Sequence, residues 1–130
     1  FSMPIIIDRL DHLVLTVKDI QATREFYEDI LGMEMRSFGN KRFALHFGNQ
    51  KFNLHEVNNP IDPNVRHATP GSADLCLITE TPIAEVISIL ESKQIPIIAG
   101  PGERTGAIGV LHSIYVYDPD DNLIEIANYI

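Results

Sequence analysis

The sequence predicts an α+β domain in which two tandem β-α-β-β-β modules form a curved mixed sheet. Three observations carry this. Two stretches of alternating apolar residues, each leading into a capped amphipathic helix, recur at a fixed interval. His12 and Asp74 lie 62 positions apart, and so do the helix-start residues Asp19 and Thr81. Each helix is then followed by three short runs of β-branched and aromatic residues broken by turn residues. Finally, 130 residues suit one domain, here residues 4–130, that buries about two-thirds of its unfolded surface.

Taken in order, His12-Leu13-Val14-Leu15-Thr16-Val17 is a strand by its β-branched content and alternation. Asp19 caps a helix with apolar positions Ile20, Tyr27, Ile30 and Leu31, and Gly32 ends it. Strands are expected at about 33–38, 42–48 and 51–57, with Gly39-Asn40 and Gly48-Asn49 as turns. Module one thus covers about 8–58. The Pro-, Asn- and Gly-rich segment 59–72 is a connector, and module two covers about 73–130. Its first strand is 73–79. Thr81 caps a helix with Pro82 at the first position and Ile83, Val86, Ile87 and Leu90 as its stripe. Three strands follow near 95–99, 110–117 and 122–128, with 100–109 as a Gly-rich loop. In this later part the copies superpose at 70 positions, which sets His55 on Glu125.

Composition excludes several functions. A formal net charge of -8, a pI near 4.9 and the absence of any basic run argue against nucleic acid or an anionic membrane as partner. No apolar run approaches the roughly 20 residues of a membrane span, and no signal peptide is visible. The single cysteine, Cys76, cannot form an internal disulfide, which suits the cytoplasm. Phe1-Ser2, ahead of Met3, is left out of the fold reading.

Strand alternation separates the candidate functional residues from the core. Ile114, Val116, Ile124 and Ile126 line one face of the last two strands, whereas Ser113, Tyr115, Tyr117, Leu123, Glu125 and Ala127 line the other. Glu125 is a carboxylate within an apolar strand: either it faces water, or a cation or donor answers it. His12, His55, Asp74 and Glu125 all lie opposite their strands' apolar stripes. Two imidazoles and two carboxylates on one inner wall suit a divalent cation such as Zn, Ni, Fe, Mn or Co. Tyr115 beside Glu125 is either a hydrogen-bond donor to an oxyanion or a half-buried aromatic. His46 either lines the cavity as a base or is an exposed sheet histidine. Arg104 either clamps an anionic substrate from its loop or is solvated, and Asn53 is expected to contact substrate. Cys76 is expected to be an inert buried thiol.

These residues resemble the vicinal oxygen chelate superfamily, which includes glyoxalase I, fosfomycin- and bleomycin-resistance proteins and extradiol dioxygenases. The likeness runs from Asp11-His12-Leu13 through Phe26-Tyr27-Glu28-Asp29-Ile30-Leu31-Gly32-Met33 to Asp118-Pro119-Asp120-Asp121-Asn122-Leu123-Ile124-Glu125. Asn53-Leu54-His55-Glu56-Val57, the strand from Gly71 to Thr79 and Arg104-Thr105-Gly106-Ala107 look closest to the glyoxalase domain-containing protein 5 group. They also look like its small bacterial relatives, some labelled virulence proteins. The resemblance implies the glyoxalase/bleomycin resistance/dioxygenase fold and metal ligands at His12, His55, Asp74 and Glu125, with Asp74 standing where the family usually has His. It also implies a homodimer, with half-cups joined within one chain or across two.

The function expected from this is a metal-dependent lyase or isomerase on a small α-oxo or hydroxy-carbonyl compound. It would work through a metal-chelated oxyanion, with Glu125 moving the proton and Tyr115 assisting. The alternative is a metal-free small-molecule binder, which the Asp at position 74 favours. Ring cleavage fits less well, because His112 lies three residues from Tyr115 and alternates onto the other face.

Overall fold

The computed structural model describes residues 3–130; Phe1 and Ser2 lie outside the described residues. In module one, β1 (His12–Val17) leads into α1 (Ile20–Arg24), which continues as a π-helical segment over Glu25–Ile30. Three strands follow, β2 (Glu34–Phe38), β3 (Arg42–Phe47) and β4 (Gln50–Glu56). In module two, β5 (Asp74–Ile78) leads into α2 (Ile83–Ser92) and then β6 (Ala99–Thr105), β7 (Val110–Tyr117) and β8 (Leu123–Tyr129). Each module builds a four-stranded sheet, in the orders β1-β4-β3-β2 and β5-β8-β7-β6. The first strand of each is parallel to its neighbour and the other pairs are antiparallel.

Asp19 caps α1 through its side chain, accepting from the backbone N–H groups of Gln21 and Ala22. Gly32 ends the helix at φ +73°, a left-handed conformation that L side chains resist. The π-helical stretch was not legible in the periodicity. It turns two consecutive residues, Phe26 and Tyr27, into the core, with their rings edge-to-face at 4.9 Å.

Two other elements depart from expectation. The Gly-rich stretch 100–109 is not a loop throughout, because β6 occupies Ala99–Thr105 and pairs with β7 across an irregularity between Ala99 and Gly102. Gly100, at φ +88°, lets the strand lie close to β7: a Cβ there would sit 2.5 Å from the Ser113 carbonyl oxygen. Thr81 does not cap α2. Asn128 on β8 does so from 45 residues away, its Oδ1 accepting from Ile83 N at 3.0 Å while its Nδ2 donates to the Thr79 and Thr81 carbonyls.

Both modules contribute to one apolar core, including Leu15, Val17, Tyr27, Leu45, Leu54, Leu90, Ile114, Val116 and Ile124. Truncating one of its leucines to Ala costs about 2–5 kcal/mol. The turn Asp118–Asn122 ties the modules together by polar contacts. Asp118 accepts from the Tyr27 hydroxyl at 2.6 Å, from Asn122 Nδ2 and from the N–H groups of Asp120 and Asn122. Asp120 accepts from Lys18 N, and Asn122 Oδ1 accepts from Ala73 N. Asp118, Asp120 and Asn122 are all buried, so their hydrogen-bonding groups need these internal partners. The modules therefore meet through their apolar faces, and each sheet keeps one face turned away from the shared core.

Candidate functional site

On module two that outer face carries Asp74, Cys76, Ser113, Tyr115 and Glu125, as alternation predicts. Glu125 lies beside Tyr115 on β7 and Cys76 on β5. The buried Ser113 hydroxyl donates to Glu125 Oε2 at 2.7 Å and so orients the carboxylate. Partial burial first, and then the Glu125 carboxylate, push the Tyr115 hydroxyl above its ordinary range, so it stays protonated and able to donate. The Arg104 guanidinium sits 5.2 Å from the Tyr115 ring centroid, on β6 rather than in a loop. Cys76 is exposed rather than buried. Desolvation by its strand neighbours, followed by the Glu125 charge, raises its thiol to about 11.

On module one, His12 is exposed and its Nδ1 lies 2.7 Å from Asp11 Oδ1. That contact holds the Asp11 carboxyl below the usual carboxylate range. With Nδ1 directed at a carboxylate, the Nε2 lone pair is the one free for a metal, the usual preparation of a ligating histidine. His46 is held below its ordinary value by burial and then by the Arg36 and Lys51 charges, so it is neutral near pH 7.

The register replaces one equivalence. Asp74 faces Leu123, and Glu125 lies two residues beyond; His12 faces Lys51, and the residue two beyond is Asn53. The copies therefore superpose at 72 positions here rather than 70, because Lys51, not Asn53, matches Leu123. Asn53, expected only to touch substrate, is the counterpart of Glu125. His55 faces Thr16, one pleat further along. It is 3 % exposed, and its Nδ1 lies 3.2 Å from Asn64 Oδ1 in the connector. Asn64 Oδ1 already accepts from Val65 N, so the His55 Nδ1–H donates to it, and the imidazole anchors the connector over the sheet.

Asn53 is 7 % exposed, and its Oδ1 has no hydrogen-bond partner. Leaving a buried acceptor unanswered costs about 1–3 kcal/mol, so such an atom calls for a partner, whether an ordered water or a bound group. His12 with Asn53, and Asp74 with Glu125, form two diagonal pairs on their sheets, each pair on one face. Within one chain the pairs do not meet. Among the described residues no group of three or more His, Cys, Asp or Glu side chains could hold a metal ion.

Sequence reasoning missed Ser113, Asp11 and Asn64 as partners of the candidate ligands. Ser113 was within reach of it, since alternation already put it on the Glu125 face. Among the described residues no helix is long and apolar enough to cross a membrane.

Comparison with known proteins agrees with this architecture. The profile of the Glyoxalase/Bleomycin resistance protein/Dioxygenase superfamily matches residues 9–126. The chain is 54% identical over 129 residues to the virulence protein STM3117 of Salmonella typhimurium, covering 99% of this chain and 90% of that one. The crystal structure of that protein superposes with a TM-score of 0.95 over 97% of this chain and 100% of its own. An integron cassette protein from the V. cholerae mobile metagenome is 48% identical, with a TM-score of 0.95 over 98% of this chain and 100% of that one. The glyoxalase domain-containing protein RDO1 of Mycosarcoma maydis is 46% identical over 120 residues, which are 92% of this chain and 68% of that protein. The chain belongs to the glyoxalase/bleomycin resistance protein/dioxygenase superfamily.

Proposed function

We propose that the chain is a divalent-metal-dependent lyase or isomerase of glyoxalase type, acting on a small α-oxo or hydroxy-carbonyl compound at a site shared by two subunits of a homodimer. The observation that carries this is the split donor set. Each module presents two donors at the same diagonal spacing on its outer face, and no single chain completes the set. Joining module one of one subunit to module two of the other brings His12 and Asn53 opposite Asp74 and Glu125. The exposed apolar arm supports a homodimer, since Ile5, Ile6 and Ile7 are 79–89% exposed.

The donors suit a cation. One imidazole nitrogen, one amide oxygen and two carboxylates favour Mn, Fe, Co, Ni or Zn over soft metals. When bound, such a cation supplies Lewis acidity to neighbouring substrate oxygens. The chain's own groups do the rest. Glu125, oriented by the Ser113 hydroxyl, takes up and returns the substrate proton. The protonated Tyr115 hydroxyl donates to developing negative charge. His46, neutral near pH 7, faces the same space as a second base.

Titrating purified protein with Mn, Co, Ni, Zn and Fe(II) while following the thermal midpoint tests this. Metal at about 100 times its Kd stabilises by about 2.7 kcal/mol. The rise is expected in wild type and absent in His12→Ala and Glu125→Ala; equal rises in all three remove these residues from the site.

One observation favours a second reading, a metal-free small-molecule binder. Asn53 and Asp74 are weaker or shorter donors than the Glu and His that would make the site strong, and Val14 and Ile78 expose apolar surface on the same faces. Less than about 0.1 metal per chain, with no gain on titration, selects that reading.

A further inference from the structure

We propose that the outer face of module one is the seat for an anionic group of the substrate, a carboxylate or phosphate, gripped by Arg42 and Lys51 across the ring of Phe38. This rests on the shared-site reading and adds the substrate's charge to it. The Arg42 guanidinium carbon lies 4.7 Å and Lys51 Nζ 4.6 Å from the Phe38 ring centroid, so two cations converge on one ring. Their ladder partners put Arg42, Lys51, Phe38 and Asn53 on the same face: Phe38 faces Arg42, Ala44 faces Asn53, and His12 faces Lys51.

Neither cation is neutralised. Among the described residues the ion pairs are Arg9–Asp8, His12–Asp11, Arg24–Glu28 and Arg36–Glu34. The chain carries 18 acidic residues against 10 basic ones, yet none pairs with these two. Arg42 Nε is buried with no acceptor, one of only two such side-chain atoms found among the described residues. The other is Asn53 Oδ1, one pleat away on the neighbouring strand. A donor lacking an acceptor beside an acceptor lacking a donor or cation outlines a ligand with an anionic end and an end that meets the metal side. The fully buried Ala44 lies between them and adds only a methyl group to the wall. Two residues along and one strand across put the two backbones roughly 8 Å apart, which sets the separation between the two ends of the substrate.

Calorimetry on the wild-type protein, with and without Mn, tests this with probe pairs differing only in charge. These are 2-oxoglutarate against its dimethyl ester, and dihydroxyacetone phosphate against dihydroxyacetone. The anionic member of at least one pair is expected to bind about tenfold tighter or better, as a charge-assisted grip implies. Which pair shows it separates carboxylate from phosphate. In Arg42→Met/Lys51→Met the preference is expected to fall below about threefold, with neutral-probe affinity and metal content kept as a check on folding. Equal binding of charged and neutral probes by wild type overturns the proposal, and so does a preference that survives in the double variant. Metal uptake without anion preference sinks this seat alone. Anion preference without metal uptake keeps the seat and sinks the metal reading.

Discussion

Replacing Tyr27 by Phe isolates the contact that holds the two modules in register. The Tyr27 side chain is fully buried, and its hydroxyl donates to Asp118 at 2.6 Å. Burial first, and the Asp118 charge second, push that hydroxyl far above the ordinary tyrosine range, so it is a donor at any working pH. The substitution removes the oxygen and keeps the ring, so the edge-to-face contacts with Phe26 and Phe52 survive. Hydrogen bonds to a charged group are worth about 1.5–3 kcal/mol. Asp118 keeps three other donors, so a loss of about 2 kcal/mol is expected. For a domain of this size that is a fall in Tm of roughly 7 °C. Thermal unfolding followed by circular dichroism at fixed chain concentration measures it. The same substitution in an Asp118→Ala background should cost less than about 0.5 kcal/mol, because the partner is already gone. A fall below about 2 °C in the single variant, or full additivity in the double, would refute the inter-module bond as a structural tie.

Cys76 is exposed, yet its thiol is raised to about 11, so at pH 8 iodoacetamide should alkylate it on the order of 100-fold more slowly than an ordinary thiol. Glu125→Gln removes the neighbouring charge and should speed the reaction several-fold; no change would separate the two side chains. Ile6→Asp puts a charge on the exposed arm and should weaken the homodimer at least about tenfold by sedimentation analysis, burial of one isoleucine being worth about 1.5–3 kcal/mol. An unchanged equilibrium would remove the arm from the interface.

Much of this architecture is written locally and could be read that way. The cap at Asp19, the stop at Gly32 and the alternation that puts Ser113, Tyr115 and Glu125 on one face depend on neighbours a few residues apart. What escaped the reading depends on distant partners or on chain geometry. The turn between β3 and β4 has two residues, Gly48 and Asn49, whereas that between β7 and β8 has five, so aligning the strands by letter slipped one pleat and chose His55 over Asn53. The stretch 100–102 read as a loop because only the structure shows that Gly100 lets the strand lie close to β7. Thr81 looked like the cap of α2, but the side chain that fills that role comes from the far end of the second module. His55 read as a partner of Glu125 because only the strand register shows that it faces Thr16, one pleat beyond Asn53, with its ring held by Asn64.

The claim that the metal site is shared between subunits is tested most directly by mixing two defective chains. His12→Ala and Glu125→Ala are each expected to bind no metal. Unfolded together and refolded in equal amounts, they form heterodimers in about half of the dimers, and each heterodimer holds one site with all its donors. The account predicts that the mixture takes up about a quarter of the wild-type metal, measured by elemental analysis after desalting. If wild type binds metal and the mixture stays as empty as its parents, each site lies within one chain and the account is contradicted.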